Sequence, residues 1–286
     1  MAYWAMRILS AFACLLPSRV ADSFGKALAN FAWLFVPAWR KRLAREQVHA
    51  CLQVDEKEAY RIAKASALRF GPMLFEVLRF PVIARHMEQY VTLEGVEHLK
   101  QATAAGRGGV IATAHMGNWE LLGGALAHAG FPILGVAKQQ REQGMDAFIN
   151  QYRRLIGMEI LYTKEVRGMF RKMKEGYIVG LLSDQDTSRR DGIVLNFFGR
   201  PTNTVQGPAV MARSAQVPFV PIFIYREPNG RHKILIEKPI EVAHTKDKRA
   251  DIRQAMQAYQ DRLEAQIRQR PEDWFWLHDR WKSMRA

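Results

Sequence analysis

Residues 108–127, GGVIATAHMGNWELLGGALA, constrain the fold of this chain more than any other stretch. A continuous apolar run over 110–114 follows Gly108 and Gly109 and predicts a buried strand. His115 stands where that strand ends. Gly117 and Asn118 break the run, and Trp119-Glu120-Leu121-Leu122 opens a helix with Asn118 as its N-cap. In an open α/β sheet that corner is where ligands bind, beyond the carboxyl ends of the strands. His115 and Glu120 flank it. On a continuous helix, side chains five apart would not share a face. With His115 in the preceding loop, the two can turn together. A neutral imidazole takes a proton from an alcohol near pH 7, and a nearby carboxylate orients it and stabilises the imidazolium. The competing account is a histidine closing a strand and a glutamate serving its own helix dipole.

The same alternation recurs downstream. Apolar runs predict strands over 90–94, 133–137, 159–162, 177–182, 219–225 and 233–236. Periodic segments predict helices over 98–105, 119–129, 145–155, 166–174, 205–215 and 247–269. The expected architecture is α/β: a mixed sheet, parallel at its centre and flanked by helices, over residues 43–286 with a helical lead-in over 43–88. No internal repeat interrupts it.

Residues 1–42 are the greasiest region. Arg7, Arg19, Asp22 and Lys26 interrupt the apolar run, so no stretch reaches the ~20 residues of a membrane span. A clean secretory signal is also missing. Two amphipathic helices meeting near Pro17 fit better. Trp4, Phe12, Phe24, Trp33, Phe35 and Trp39 act as aromatic anchors, and Arg40-Lys41-Arg42 follows directly. Such a segment lies in a membrane interface with its basic end on anionic headgroups; packing of both helices on the core is the alternative. Peripheral or monotopic attachment is expected.

Charge points the same way. The chain carries 42 Lys plus Arg against 28 Asp plus Glu, a net charge of +14. This excess suits an anionic partner: nucleic acid, a phosphate-bearing substrate, an acidic protein or an acidic membrane. No helix-turn-helix, RNP or zinc-finger signature accompanies it, which argues against nucleic acid. The only cysteines, Cys14 and Cys51, form neither a disulfide framework nor a zinc motif.

Two further stretches carry chemistry. The strand over 177–182 runs into Ser183-Asp184-Gln185-Asp186, the same kind of strand end as His115. A D-x-D metal site lacks a third ligand here, so no metal is expected. Asp184 and Gln185 read instead as groups that hydrogen-bond a polar substrate or a catalytic arginine, or as a polar capping turn. Arg153-Arg154 closes a helix before Gly157: one cation satisfies the helix end, and the other can clamp a phosphate or thioester oxygen. The basic helix over 166–174 is a solvated face or a dock for an acidic carrier protein. The closing tryptophans, Trp274, Trp276 and Trp281, read as core packing.

His115-Met-Gly-Asn-Trp-Glu120, Asp184-Gln-Asp186, Phe197-Phe-Gly-Arg-Pro-Thr-Asn-Thr204 and Trp274-Phe-Trp-Leu-His-Asp-Arg-Trp-Lys282 occur in that order. This ordered set resembles the late acyltransferases of lipid A biosynthesis, within the wider lysophospholipid acyltransferase superfamily. The resemblance implies transfer of a fatty acyl chain from acyl carrier protein to a hydroxyl of a membrane phosphoglycolipid, at the cytoplasmic face of the bacterial inner membrane. It matches His115 and Glu120 to the H-x4-D/E catalytic pair, Asp184 to the acid of the D-Q motif, and Arg153, or its neighbour Arg154, to an active-site arginine. Family members often carry a clear membrane-spanning helix, which residues 1–42 lack.

The residue types then suggest a mechanism. No Gly-x-Ser-x-Gly elbow or activated cysteine is present, so a covalent acyl-enzyme is not expected. His115 would deprotonate the acceptor hydroxyl for direct attack on the thioester. Glu120 would orient His115, while Arg153 or backbone N–H groups near Asn118 would bind the oxyanion or a substrate phosphate. No cofactor is needed, because the thioester is a substrate. Two alternatives stay open: an acyl-CoA-dependent enzyme for a lysophospholipid or mannosylated phosphoinositide, and a catalytically silent membrane adaptor.

Overall fold

The computed structural model describes residues 1–285. Helices come first: α1 (Ala2–Leu15), α2 (Ser18–Phe35), α3 (Ala38–Leu52), α4 (Glu56–Leu68), α5 (Phe70–Leu78) and two single turns, α6 (Phe80–Ile83) and α7 (Met87–Tyr90). Strands and helices then alternate through β1 (Val91–Glu94), α8 (Val96–Thr103), β2 (Gly109–Thr113), α9 (Trp119–His128), β3 (Ile133–Ala137), α10 (Gln143–Leu155), β4 (Glu159–Tyr162), α11 (Val166–Lys174) and β5 (Ile178–Leu182). A hairpin of β6 (Gly192–Phe197) and β7 (Arg200–Val205) intervenes. The chain closes with α12 (Gly207–Ala215), β8 (Phe219–Arg226), β9 (His232–Ile236) and α13 (Lys248–Gln269).

Seven strands form one sheet in the order β1-β9-β8-β2-β5-β3-β4. Every pairing is parallel except β8 with β9. This is the expected mixed, centrally parallel sheet. β2 lies inside it, buried along its whole length, as a strand covered by helices on both faces must be. One face packs α1, α5, α9 and α10; the other packs α3, α4, α12, α13 and the closing tryptophans.

Between 183 and 204 the sequence patterning predicted no regular element, yet β6 and β7 pair there in antiparallel register. Along β6, Ile193, Leu195 and Phe197 are buried in alternation, a period-two signal present in the sequence. The turn hid it. Phe198 and Gly199 both take positive φ, 53° and 71°, where a two-residue hairpin ordinarily announces itself with Asn-Gly.

The two amphipathic helices break as expected: α1 ends before Pro17 and α2 begins after it. Residue 42 lies inside α3. Gly25 of α2 meets Gly71 of α5, and a Cβ on either would overlap the other's backbone. Ala21, Gly25, Ala29 and Trp33 thus form the buried stripe of α2. Much of the remaining surface of both helices is apolar and exposed, with Trp4 at 68% and Phe35 at 70%. No described helix is long and apolar enough to cross a membrane.

Candidate active site

Parallel register builds the centre of the site. Thr113 of β2 pairs with Leu182 of β5, and the Ser183 amide donates to the Thr113 carbonyl at 2.9 Å. His115 and Asp184 each lie two residues beyond that last pair, so the two strand ends deliver them side by side. His115 Nδ1 and Asp184 Oδ1 are 2.8 Å apart. The other carboxylate oxygen of Asp184 accepts from the Trp274 indole at 2.8 Å. Asp184 is buried. The corner itself needs Gly117, whose φ is +55° and whose Cβ would overlap the Ile224 carbonyl.

The C-terminal segment braces this corner from outside. Phe275 N donates to His115 O at 3.1 Å and Gly117 N to Asp273 O at 3.0 Å. The tryptophans are buried core, as expected, and Trp274 additionally holds the acid behind the histidine. Trp119 packs edge-on to the His115 ring at 5.0 Å between centroids. His115 Nε2 makes no hydrogen bond among the described residues, and its side chain is 21% exposed. The ring is therefore held by one nitrogen and free at the other.

Electrostatics favour a basic imidazole over a buried carboxylate. Burial pulls the His115 imidazole down, but the Asp184 charge and hydrogen bond, with the Glu120 charge nearby, hold it above the ordinary histidine range. Burial pushes Asp184 up, and the His115 imidazolium and the Trp274 donor more than offset it, leaving its carboxyl below the usual range.

Three sequence expectations change here. Glu120 was expected to orient His115. Instead both of its oxygens are taken by the Arg153 fork, Nε at 2.8 Å and a terminal nitrogen at 2.6 Å. Glu120 keeps its electrostatic influence on His115 and leaves orientation to Asp184. Asp184, expected among the substrate-binding groups, has both oxygens engaged by protein donors and is shut away from solvent. Asn118 caps α9 as expected, through Leu121 N at 3.0 Å, and also donates to Glu76 at 2.7 Å, so its side chain is not free for the substrate contact also expected of it.

Of the adjacent arginines, Arg153 joins the site, braced by Asn150 at 3.0 Å, while Arg154 is exposed. Gln185 is half-buried beside Asp184. Asp186 accepts from Ser283 N at 2.9 Å and its hydroxyl at 2.7 Å, and its own amide donates to His278 Nε2 at 3.1 Å. Trp274, Glu76 and His278 were not singled out from sequence as site residues, because each reaches the site only through tertiary contacts.

Beside Trp119 and Glu120 an apolar slot of ≈ 60 Å³ runs between α9 and the sheet, past Thr113, Gly123, Gly135 and Gly180. Trp119 stands between the free imidazole nitrogen and this slot, touching the one and lining the other, an arrangement on an α/β sheet that suits a transferase or hydrolase whose substrate has an apolar part.

The comparisons make that class specific. The model of the bacterial lipid A biosynthesis acyltransferase family matches residues 1–283. The chain belongs to that family and is an acyltransferase. It is 28% identical over 227 residues to the phosphatidylinositol mannoside acyltransferase of Mycobacterium tuberculosis (strain ATCC 25618 / H37Rv), covering 76% of this chain and 69% of that one. With the lipid A biosynthesis lauroyltransferase of Escherichia coli (strain K12) it shares 24% over 272 residues, 94% of this chain and 87% of the relative. Among solved structures, the 1-acyl-sn-glycerophosphate acyltransferase PlsC from Thermotoga maritima superposes with a TM-score of 0.40 at 13% identity, covering 89% and 99% of the two chains.

Proposed function

We propose that this acyltransferase moves a fatty acyl chain from an acyl carrier protein thioester to a hydroxyl of a Kdo-bearing lipid A precursor, with His115 as general base. The carrying observation is the His115 ring, held at Nδ1 by Asp184, free at Nε2, and packed on Trp119, which lines the apolar slot. The acceptor hydroxyl gives its proton to Nε2 as its oxygen attacks the thioester carbonyl carbon. The tetrahedral intermediate then collapses, the C–S bond breaks, and the imidazolium returns the proton to the departing thiol. Asp184 holds the tautomer and balances the imidazolium. Trp119 and Glu120 N–H groups, in the first turn of α9 with no intrahelical acceptor, are the oxyanion donors of this reading. Arg153 grips both oxygens of Glu120 and fixes it near the reacting atoms. The acyl chain enters the slot between α9 and the sheet, widening it.

Surface features support the donor and the location of this reading. Arg167, Arg171 and Lys174 are exposed on α11 and suit an acidic carrier protein. The exposed apolar side chains of α1 and α2 suit attachment to the cytoplasmic face of the inner membrane, peripheral or monotopic. One observation favours a second acceptor: the mycobacterial relatives act, by name, on a phosphatidylinositol mannoside and are as similar as the lipid A enzymes.

Mass spectrometry of an in vitro reaction tests the proposal. Purified protein in detergent meets acyl carrier proteins of several chain lengths and either acceptor. A gain of one acyl group on the lipid A precursor, absent with His115→Ala, is expected. Acylation of the mannoside alone moves the acceptor, and no consumption of thioester by folded protein overturns the reaction.

A further inference from the structure

A cleft of ≈ 960 Å³ opens between α2, the end of α4, the β8–β9 turn and the residues that follow α13. It is separate from the slot beside Glu120: none of the slot's lining residues borders it. Six cations, Arg19, Lys26, Arg69, Arg226, Arg231 and Arg270, face three carboxylates, Asp22, Glu227 and Glu272. Two of the carboxylates are spent, while Glu227 makes no ion pair among the described residues. Asp22 holds Lys26 at 2.7 Å and Arg226 at 2.6 Å, and Glu272 pairs with Arg61 and, at 3.7 Å, with Arg69. Among the described residues Arg19 and Arg270 have no carboxylate partner, and Arg231 donates to the Glu88 carbonyl at 2.8 Å. Unspent guanidinium forks therefore converge on one cavity, and such forks match the oxygen spacing of a phosphate.

The helix that forms one wall says where the phosphate comes from. Arg19, Asp22, Lys26 and Asn30 of α2 face the cleft, while Val20, Phe24, Leu28 and Phe31 of the same helix are exposed. With the apolar arc in a bilayer, the cleft sits at headgroup level, where ester phosphates are densest. Its volume also suits a phospholipid headgroup. We propose that this cleft binds the phosphate of an anionic phospholipid headgroup, a second ligand site separate from the acyl-transfer centre. The assignment rests on attachment of α1 and α2 to a bilayer.

Vesicle flotation of the full chain separates the two. Phosphatidylcholine vesicles report attachment by the apolar face; adding phosphatidic acid reports the cleft. Wild type should bind both and gain affinity with phosphatidic acid. Arg19→Gln with Arg270→Gln should keep phosphatidylcholine binding and lose about fivefold of the gain per removed cation. Lys246→Gln with Lys248→Gln, removing equal charge elsewhere, should keep the gain. Phe31→Glu should lose both kinds of binding; if wild type itself ignores phosphatidylcholine, the attachment reading has failed rather than the cleft. Equal loss in the two double variants would overturn the site in favour of diffuse charge, and no loss in the cleft variant would overturn it outright. Millimolar sodium phosphate, but not sodium chloride of equal ionic strength, should suppress the gain by competing for the same forks; phosphate binding to the vesicle-free protein with no phosphatidic acid gain would reassign the cleft to free phosphate and overturn the lipid.

Discussion

Among the described residues, two histidine–carboxylate pairs of nearly equal length sit against this sheet. His115 meets Asp184 at 2.8 Å, and His232 meets Glu76 at 2.9 Å. The second pair is the better tied: Glu76 also accepts from Asn118 at 2.7 Å and lies 3.5 Å from Arg226. Yet the His232 side chain is only 2% exposed, and its Nδ1 is buried without a partner among the described residues. His115 keeps its second nitrogen at a solvent-reachable position against Trp119. A histidine–carboxylate pair is thus no signature of catalysis by itself. What separates the two is whether the ring's other nitrogen can reach a substrate. The Glu76 pair instead anchors the N-cap of α9, and through it the helix that walls the slot.

Matched substitutions break this comparison most sharply. His115→Asn keeps a donor toward Asp184 but removes the base, so kcat/KM should fall ~100- to 10,000-fold with little change in melting temperature. His232→Asn, the same exchange at the other pair, should leave kcat/KM within about threefold, an outcome that the general-base magnitude makes easy to resolve. Equal losses in thioester-consumption assays would erase the distinction.

Removing a carboxylate reverses the ranking in stability. Glu76→Ala strands His232 and the Asn118 amide, leaves Arg226 with Asp22 as its carboxylate partner, and should cost about 3 kcal/mol, read by denaturant unfolding in detergent. Its activity per folded molecule should suffer less than that of His115→Asn.

Asp184→Asn sharpens the comparison through pH. A base must be neutral, so the acid limb of wild-type kcat/KM should follow the His115 pKa, raised above ~6.5. Without the Asp184 charge, burial dominates and the limb should move to lower pH. Stability runs with the same signs. The raised His115 contributes fully below its unfolded pKa and loses that contribution as pH rises through the folded value. The depressed Asp184 contributes above the unfolded carboxylate range and loses it as pH falls through its folded value. The difference in melting temperature between wild type and Asp184→Asn should therefore narrow at both extremes. A limb that stays put would remove Asp184 from the histidine's electrostatics.

A smaller loss than that of His115→Asn belongs to Arg153→Lys. A point charge keeps Glu120 neutralised but cannot grip both oxygens, so a loss on the order of tenfold in kcat/KM is expected, with the pH limb unmoved. A wild-type rate would make the fork structural only.

The sequence by itself determined the local units. Apolar runs and their glycine and proline punctuation placed β2, α9 and most of the alternating elements. Asn118 announced the cap, and the strand-end position marked His115. The β6–β7 hairpin escaped because Phe198-Gly199 carries no customary turn signal, although the alternation of Ile193, Leu195 and Phe197 was present. What only the tertiary structure decided is who touches whom. Asp184 is 69 residues from His115 and becomes its partner because β5 lies next to β2 in parallel register. Glu120, five residues away and in the motif, goes instead to Arg153, 33 residues on, at the end of α10. Periodicity is a property of neighbours along the chain and can be read there. A hydrogen bond acts over ~3 Å, and which groups come within that distance is set by strand order and register.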